Sequence, residues 1–512
     1  MSKPPSRQAY AITLFLILLV CTGYFMPRWA DWGANSRADL VYAIGDQGVL
    51  YIDDYQQNTG DKACFPGPYD LASDTCQGHY YTDKSIGPSM AALPFYVVFK
   101  AVAALPPIEN FINSGKGLGA FSDTLNPEGE GIRANAVYEG MALTFMTFFA
   151  MAVPSALMGV VFFLLAARFI NRDGYAFLLA LIYGLATPAF AYSNVLYQHQ
   201  MAAFGAFVGF YLLWRVIYEG ANLRWLWLAG FLFSLTVVTE YPVVIALALI
   251  FLWAVYVMPN RLALYRVVLG AIPLGLIFAA YNYAIFQTPI PVGYSYSTLW
   301  QNVHDQGFLS LTVPNLGTMT NLLFGVYRGL LFLSPVLILA VPGFFIIWRR
   351  HKQRSVTVLL AGVVAYFLLF NSSSVMWWGG NTVGPRYLVP MLPFLALPII
   401  FVLDEWLKNR LGVVAVTILV TLSALNVWIQ TIGGQAFPPE VYQNPLFEYS
   451  LPNILNGDIA RNYGTIVGLH GLLSLVPLLV VAGAIGFLLP GWLTRHSDRR
   501  EAAALKHMEG AN

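Results

Sequence analysis

About twelve apolar runs, each close to the length that a helix needs to cross a bilayer, constrain this chain more than any other feature. A spanning helix takes about 20 apolar residues. Of 512 residues, 57% are hydrophobic and 11% are charged, whereas soluble domains carry about 25% charged residues. The sequence therefore predicts an all-α, polytopic membrane protein. We place the spans at residues 9–26, 139–168, 175–193, 199–218, 225–239, 241–258, 267–286, 329–348, 355–371, 387–402, 411–430 and 468–490.

The arrangement of arginines predicts the orientation of the chain. Arginine pairs and the run RRHKQR recur in the loops between alternate spans, and such loops face the cytoplasm. This alternation holds only if the apolar segment 88–105 does not span. We therefore expect that segment to lie on the membrane as an amphipathic helix within the first outer loop. Both chain ends are then cytoplasmic, and the N-terminal segment is expected to be a signal anchor.

The same alternation predicts the domain organisation. A single membrane domain is expected over residues 1–490, followed by a basic cytoplasmic tail over 491–512. Three longer segments are expected outside, at 27–138, 287–328 and 431–466. The expected location is the plasma or inner membrane, with the functional site on the extracytoplasmic side.

The first outer loop is rich in aspartates, which are candidates for a general base. Transfer of a group onto a hydroxyl or an amine needs a base within hydrogen-bond reach of the attacking atom. Asp53 and Asp54 follow a short apolar, strand-like run that would hold them at a site entrance. Asp61 and Asp83 each precede a lysine, and both are further candidates.

Three basic residues on the acidic outer face are candidates for binding an anion. Arg328 and Arg386 each open a predicted span at its outer end, and Lys84 lies in the run YYTDKSIGP. The planar guanidinium of arginine matches phosphate oxygens bidentately. Glycines and Pro385 precede Arg386, and irregular backbone at membrane depth is tolerated only against protein or a water-filled cavity. The pattern indicates a lipid-phosphate site.

Further polar candidates lie at predicted outer helix ends. Asn194 and His199 share the run SNVLYQHQ, and Glu240 stands in a short turn between two spans. Ionisable residues at membrane depth are functional candidates by default.

The three cysteines do not suggest a metal site, because CxxC pairs and His/Cys clusters are missing from the sequence. Cys64 and Cys76 share the outer loop, where they either form a disulfide or remain free thiols. A cofactor is not expected, and a divalent metal has no evident ligand set. The net charge of +2 gives no reason to expect nucleic acid as a partner.

Three segments resemble the bacterial GT-C glycosyltransferases, membrane enzymes related to protein O-mannosyltransferases and lipid A aminoarabinose transferases. They are YYTDKSIGPSMAALPFY, ARFINRDGYAFLLALIYGLATPAFAYS and GGNTVGPRYLVPMLPFLALP. YYTDKSIGP, which contains Tyr81 and Lys84, is similar to the tyrosine-lysine-proline signature that ends the family's outer loop. The resemblance implies a GT-C type fold, with about twelve transmembrane helices and a large first outer loop carrying juxtamembrane helices.

The resemblance also implies a donor and a mechanism. Members of the family take a sugar from a polyprenyl phosphate or diphosphate, and an outer-loop aspartate near the end of the first helix acts as base. The family's Asp-Glu pair would fall near 31–39, where this chain has NSRADL and keeps Asp39. Asp39 thus joins Asp53 and Asp54 as a candidate base. The second acid of many relatives is replaced by Asn194 and His199.

The expected function is transfer of a sugar from a polyprenyl-(di)phosphate carrier to a lipid, glycan or protein acceptor on the outer face. A surface-glycan polymerase or ligase would share this chemistry. A transporter or flippase of lipid-linked sugars would need polar groups through the membrane and usually an internal repeat. A noncatalytic scaffold would leave the outer arginines unexplained.

Overall fold

The computed structural model describes residues 5–28, 31–114, 136–290, 293–299, 310–350 and 354–509. Helices make up 71% of the chain and strands 4%. In chain order, the described α-helices are Arg7–Gly23, Trp32–Tyr42, Gly87–Ala103, Pro106–Asn113, Ala136–Thr147, Val153–Ile170, Asp173–Leu185, Gln198–Glu219, Trp225–Thr239, Val243–Val257, Tyr265–Phe286, Leu316–Phe324, Leu330–Leu333, Ala340–Arg349, Arg354–Ser372, Leu392–Ala396, Ile399–Trp406, Arg410–Ile432, Leu451–Leu455, Tyr463–Ile466 and Val476–Glu509.

Six helices in the described residues are long and apolar enough to cross a membrane, or eight if two bent pairs each make one span. Each predicted span contains a helix, but some are short because irregular backbone interrupts them. The helix Asp173–Leu185 gives way to turns around Pro188, which has no N–H to donate. The count of twelve crossings stays a prediction. The six helices are Val137–Ile170, Gln198–Glu219, Arg261–Phe286, Arg354–Ser372, Arg410–Ile432 and Gly471–Thr494.

The segment expected to lie along the membrane is the helix Gly87–Ala103, which turns by 91° into Pro106–Asn113. One face of the longer helix buries Tyr96 and Phe99, while Val97 and Val98 on another face are more than half exposed. The exposed face is thus apolar as well as the buried one, and the amphipathic character of the helix stays a prediction. Its orientation to the bilayer stays a prediction.

Short strands make part of the first outer loop an exception to the expected all-α fold. They are β1 (Lys62–Phe65), β2 (Tyr69–Asp70), β3 (Thr75–Cys76) and β4 (His79–Thr82). β1 pairs antiparallel with β4, and β2 with β3. Cys64 and Cys76 form a disulfide, which confirms the bridged alternative. The bridge joins β3 of the inner hairpin to β1. β4, which carries Tyr81, is followed closely by Lys84.

Two helices of the membrane domain cross in backbone contact through glycines. A Cβ on Gly230 would lie 1.9 Å from the carbonyl oxygen of Val267, and one on Gly270 would lie 2.2 Å from that of Trp227. Small residues allow this approach between transmembrane helices. The helix Trp225–Thr239 thus packs closely along Tyr265–Phe286 and delivers Glu240 at its end.

Candidate functional site

Asp31 begins the second helix and is held by two kinds of donor. Its side chain is the N-cap of Trp32–Tyr42 and accepts from the N–H of Ala34 at 3.0 Å. The hydroxyl of Tyr197 donates to the two carboxylate oxygens at 2.8 and 3.0 Å. Burial raises the pKa of Asp31, and these hydrogen bonds and the charge of Arg386 partly oppose that rise.

The ring of Tyr197 is in contact with two guanidinium groups. The Cζ atoms of Arg386 and Arg37 lie 5.3 Å and 5.7 Å from its centroid, distances at which a cation is attracted to an aromatic face. Arg37 is buried and donates to the carbonyl of Gly33 and to Oε1 of Gln198. We call Asp31, Arg37, Tyr197 and Arg386 the Tyr197 cluster.

Arg386 uses only part of its hydrogen-bonding capacity within the described residues. Its Nη2 donates to the hydroxyl of Tyr387 at 3.3 Å. In the part of the chain that the structure describes, its Nε has no partner and no carboxylate lies within ion-pair distance of it. The side chain is half-buried. A half-buried guanidinium without a carboxylate partner is suited to bind an anion.

A glycine-rich turn, residues 373–385, leads into Arg386. Gly379, Gly380 and Gly384 have φ angles of 76°, 71° and 62°, the left-handed region that side chains disfavour. A Cβ on Gly379 would lie 3.0 Å from Nε of Arg386. The turn therefore needs glycine both for its conformation and for its contact with the arginine.

Arg328 lies under the same turn and uses its donors on the backbone. It is 1% exposed and donates to the carbonyls of Trp378 at 3.3 Å and Gly380 at 2.9 Å, with a longer contact of 3.4 Å to that of Tyr327. Although Arg328 was predicted to bind phosphate, these contacts hold the turn in place. The positive charge of Arg328 is nevertheless close enough to that of Arg386 for the two to repel each other.

Lys84 forms the second cationic site, with two of the predicted aspartates. Its Nζ lies 3.2 Å from Asp61 and 3.1 Å from Asp83, and the side chain is 15% exposed. Burial lowers the pKa of Lys84, but the two carboxylates outweigh burial, so the net shift is upward. Burial raises the pKa of Asp83, against the opposing charge of Lys84. Asp83 also accepts from the hydroxyl of Ser297 at 2.9 Å.

The three aspartates predicted as base lie in other environments. Oδ2 of Asp53 is 2.6 Å from Nδ1 of His79, and its Oδ1 accepts from the N–H of Tyr80. Asp54 accepts from Gln47.

Asp39 is fully buried and accepts from Asn58 at 3.0 Å, and burial raises its pKa well above the usual range. Among the described contacts, none joins Asp39, Asp53 or Asp54 to Arg386, Lys84 or Tyr197. The structure instead brings Asp31, Asp61 and Asp83 towards the cations.

Among the other predicted candidates, His199 and Glu240 lie next to the Tyr197 cluster, whereas Tyr81 and Asn194 make contacts outside it. Tyr81 is 8% exposed and packs 6.0 Å from Phe286, between ring centroids. Asn194 donates to the carbonyl of Phe25 and lines, with Arg28, a cavity of about 20 Å³. That volume holds about one water molecule and is too small for a sugar. His199 and Glu240 form a buried pair beside Tyr197.

Sequence reasoning did not select Asp31 or Arg37 as site residues, and it noted Tyr197 only as part of the polar run that contains Asn194 and His199. One signal was available for Asp31, because it lies five residues after Met26, near the end of the first helix, and stands before a helical pattern as an N-cap residue does. Within the described residues, no group of three or more His, Cys, Asp or Glu side chains is placed to hold a metal ion.

A comparison with protein-family models and with curated protein sequences finds no match for this chain.

Proposed function

We propose that this protein transfers a sugar from a polyprenyl-phosphate or polyprenyl-diphosphate carrier to an acceptor on the outer face of the membrane. One observation carries the proposal. Asp31 and Arg386 both contact Tyr197, and Arg386 is near enough to lower the pKa of Asp31. The two opposite charges nevertheless form no ion pair in the described structure. A candidate base and a candidate anion-binding group thus share Tyr197 as a contact while remaining unpaired with each other.

In this mechanism Arg386 binds the phosphate of the carrier. Its Nε is buried, so the terminal nitrogens of the guanidinium are the donors that would meet phosphate oxygens. Its contact with Tyr197 orients the guanidinium. Lys84 is kept protonated by Asp61 and Asp83, but their negative charges already balance its own. As the bond between the sugar carbon and the phosphate oxygen breaks, the electron pair stays on that oxygen, and Arg386 stabilises the growing charge.

Asp31 is the base that the geometry supports best. The acceptor hydroxyl or amine attacks the anomeric carbon, a new bond forms there, and Asp31 takes the acceptor's proton. Burial raises the pKa of its carboxyl group, which brings its proton affinity closer to that of a useful base. The hydroxyl of Tyr197 orients both carboxylate oxygens of Asp31.

Other charged residues support the site without touching the reacting atoms. Arg328 holds the turn before Arg386 through backbone carbonyls. Arg37 also packs against the ring of Tyr197 and donates to Gln198. Loss of either would act through the positions of Arg386 and Tyr197.

The disulfide supports an extracytoplasmic site, because such bonds persist in oxidising compartments. A glycan polymerase or ligase would use the same base and cations, so the acceptor is the open part of the proposal. A transporter would move the lipid-linked sugar without breaking its bond to phosphate.

The test is an assay of the purified protein in lipid nanodiscs with polyprenyl-phosphate sugars labelled in the sugar. Release of free polyprenyl phosphate together with a labelled acceptor supports the proposal. Movement of intact donor between the leaflets of liposomes, without cleavage, would instead favour a transporter.

A further inference from the structure

His199 is the second residue of the helix Gln198–Glu219, and one of its two ring nitrogens is fixed by a carboxylate. Its Nδ1 lies 3.1 Å and 3.2 Å from the two oxygens of Glu240. His199 is 0% exposed, and Glu240 is 7% exposed. A buried carboxylate that binds one nitrogen of an imidazole fixes the orientation of the ring.

Three tyrosine rings surround the imidazole at nearly right angles. The ring centroids of Tyr387, Tyr192 and Tyr197 lie 5.4, 5.8 and 6.0 Å from that of His199, with interplanar angles of 83°, 83° and 87°. Edge-to-face pairs of this kind favour one relative orientation of the rings. The direction of His199 therefore influences the direction of all three phenols.

Each of these phenols holds a different part of the site. Tyr197 donates to Asp31, and Tyr387 accepts from Arg386. Tyr192 donates to the carbonyl of Val383 at 3.0 Å and accepts from its N–H at 3.1 Å, in the turn that precedes Arg386. One tyrosine connects His199 to Asp31, and a second connects it to Arg386. The third connects it to the turn before Arg386.

We infer that His199, held by Glu240, is a positioning residue that aligns Asp31 and Arg386 with each other through Tyr197, Tyr387 and Tyr192. The inference rests on the proposed function, since it concerns the same site. Nε2 of His199 has no hydrogen-bond partner among the described residues, and the side chain is fully enclosed by its neighbours. The imidazole therefore acts through the rings that it contacts and does not touch the donor.

The test uses His199→Asn in the full-length protein. The asparagine amide can still donate to Glu240, but the ring that supports the tyrosines is lost. We expect transfer to fall about 10- to 100-fold. This is the range for loss of one hydrogen bond to a charged group, here the bond from Tyr197 to Asp31. Affinity for decaprenyl monophosphate should weaken as well, because Tyr387 no longer orients Arg386.

The pH profile separates positioning from a general loss of folded protein. Tyr197 lowers the pKa of Asp31 through its hydrogen bond, so a displaced Tyr197 should move the acidic limb of the rate to higher pH. Glu240→Gln preserves shape and one acceptor, and it should shift the limb in the same direction by a smaller amount. This second variant answers the question if His199→Asn does not fold. The matched control is Tyr183→Phe, a buried tyrosine whose hydroxyl accepts from Gln200.

The outcomes are distinct. In one outcome, both variants lose activity only in proportion to the loss of folded protein, and their acidic limb and lipid affinity match wild type. That result overturns the positioning role and leaves the proposed function standing. A wild-type protein that neither binds decaprenyl monophosphate nor transfers sugar overturns both.

Discussion

The guanidinium of Arg328 donates to the carbonyl oxygen of Gly380 at 2.9 Å, in the turn that leads into Arg386. This contact gives the two arginines separate tasks. Arg328 is buried and shapes the backbone, whereas Arg386 keeps donors without partners in the described structure. The two side chains looked equivalent in the sequence, because each opens a predicted outer helix end.

Gly379→Ala should weaken lipid binding, whereas Gly380→Ala should not. Both glycines have positive φ, so each alanine should cost about 1–2 kcal/mol of stability. Only the Cβ at Gly379 meets Arg386, at 3.0 Å from Nε, because the Cβ at Gly380 would have nothing within 4 Å. Thermal unfolding and affinity for decaprenyl monophosphate are the two measurements. Equal lipid affinity in the two variants would contradict the contact's importance.

Arg386→Lys should lose most lipid binding and most activity. An ammonium keeps the charge but cannot make the bidentate contact, and each lost charged contact costs about 1.5–3 kcal/mol. Titration of nanodiscs with decaprenyl monophosphate measures the change. Arg224→Lys, on a predicted cytoplasmic loop, is the control and should match wild type. Wild-type affinity in Arg386→Lys would remove the phosphate role from this residue.

Asp31→Asn should abolish transfer while leaving lipid binding nearly intact. The change preserves shape and removes the charge, and loss of a general base lowers the rate by about 100-fold or more. Asp53→Asn, Asp54→Asn and Asp39→Asn are the matched variants, and single-turnover rates compare all four. An inactive Asp53→Asn beside an active Asp31→Asn would return the base to Asp53, the first choice from sequence.

The reason that sequence could not select Asp31 is physical. Many aspartates share the first outer loop, and their chemistry is the same until a partner distinguishes them. For Asp31 that partner is Tyr197, 166 residues away along the chain. Arg386 and Lys84 could be selected as candidates because basic residues are rare on the face predicted to be outside. Short strands such as β1 and β4 were not predicted, because hydropathy is averaged over windows longer than the four residues of each strand.

The rate should fall on the acidic side with a pKa above about 3.9, the ordinary value for aspartate. Burial raises the pKa of Asp31, and the base must be deprotonated to act. Lowering the pH through that raised pKa therefore removes the active form. Tyr197 and Arg386 lower the pKa, and Asp61 raises it. Tyr197→Phe should consequently shift the acidic limb further upward, as measured by single-turnover rates across pH. An unchanged limb would count against Asp31.

The predicted orientation can be tested with single cysteines at exposed positions. Cys64 and Cys76 are bridged, and Cys21 is buried, so background labelling should be low. A membrane-impermeant maleimide applied to intact cells should label Asn113→Cys and miss Asn222→Cys until the cells are lysed. The reverse pattern would mean that residues 88–105 cross the bilayer and that the later loops are inverted.

The glycine crossing of Trp225–Thr239 with Tyr265–Phe286 has a consequence for Glu240. Because the two backbones touch at Gly230 and Gly270, no side chains lie between them there to repack when one helix is pushed. We therefore expect these two helices to move together, with Glu240 at the C-terminal end of the first. The carboxylate that binds His199 would then keep its position relative to both helices.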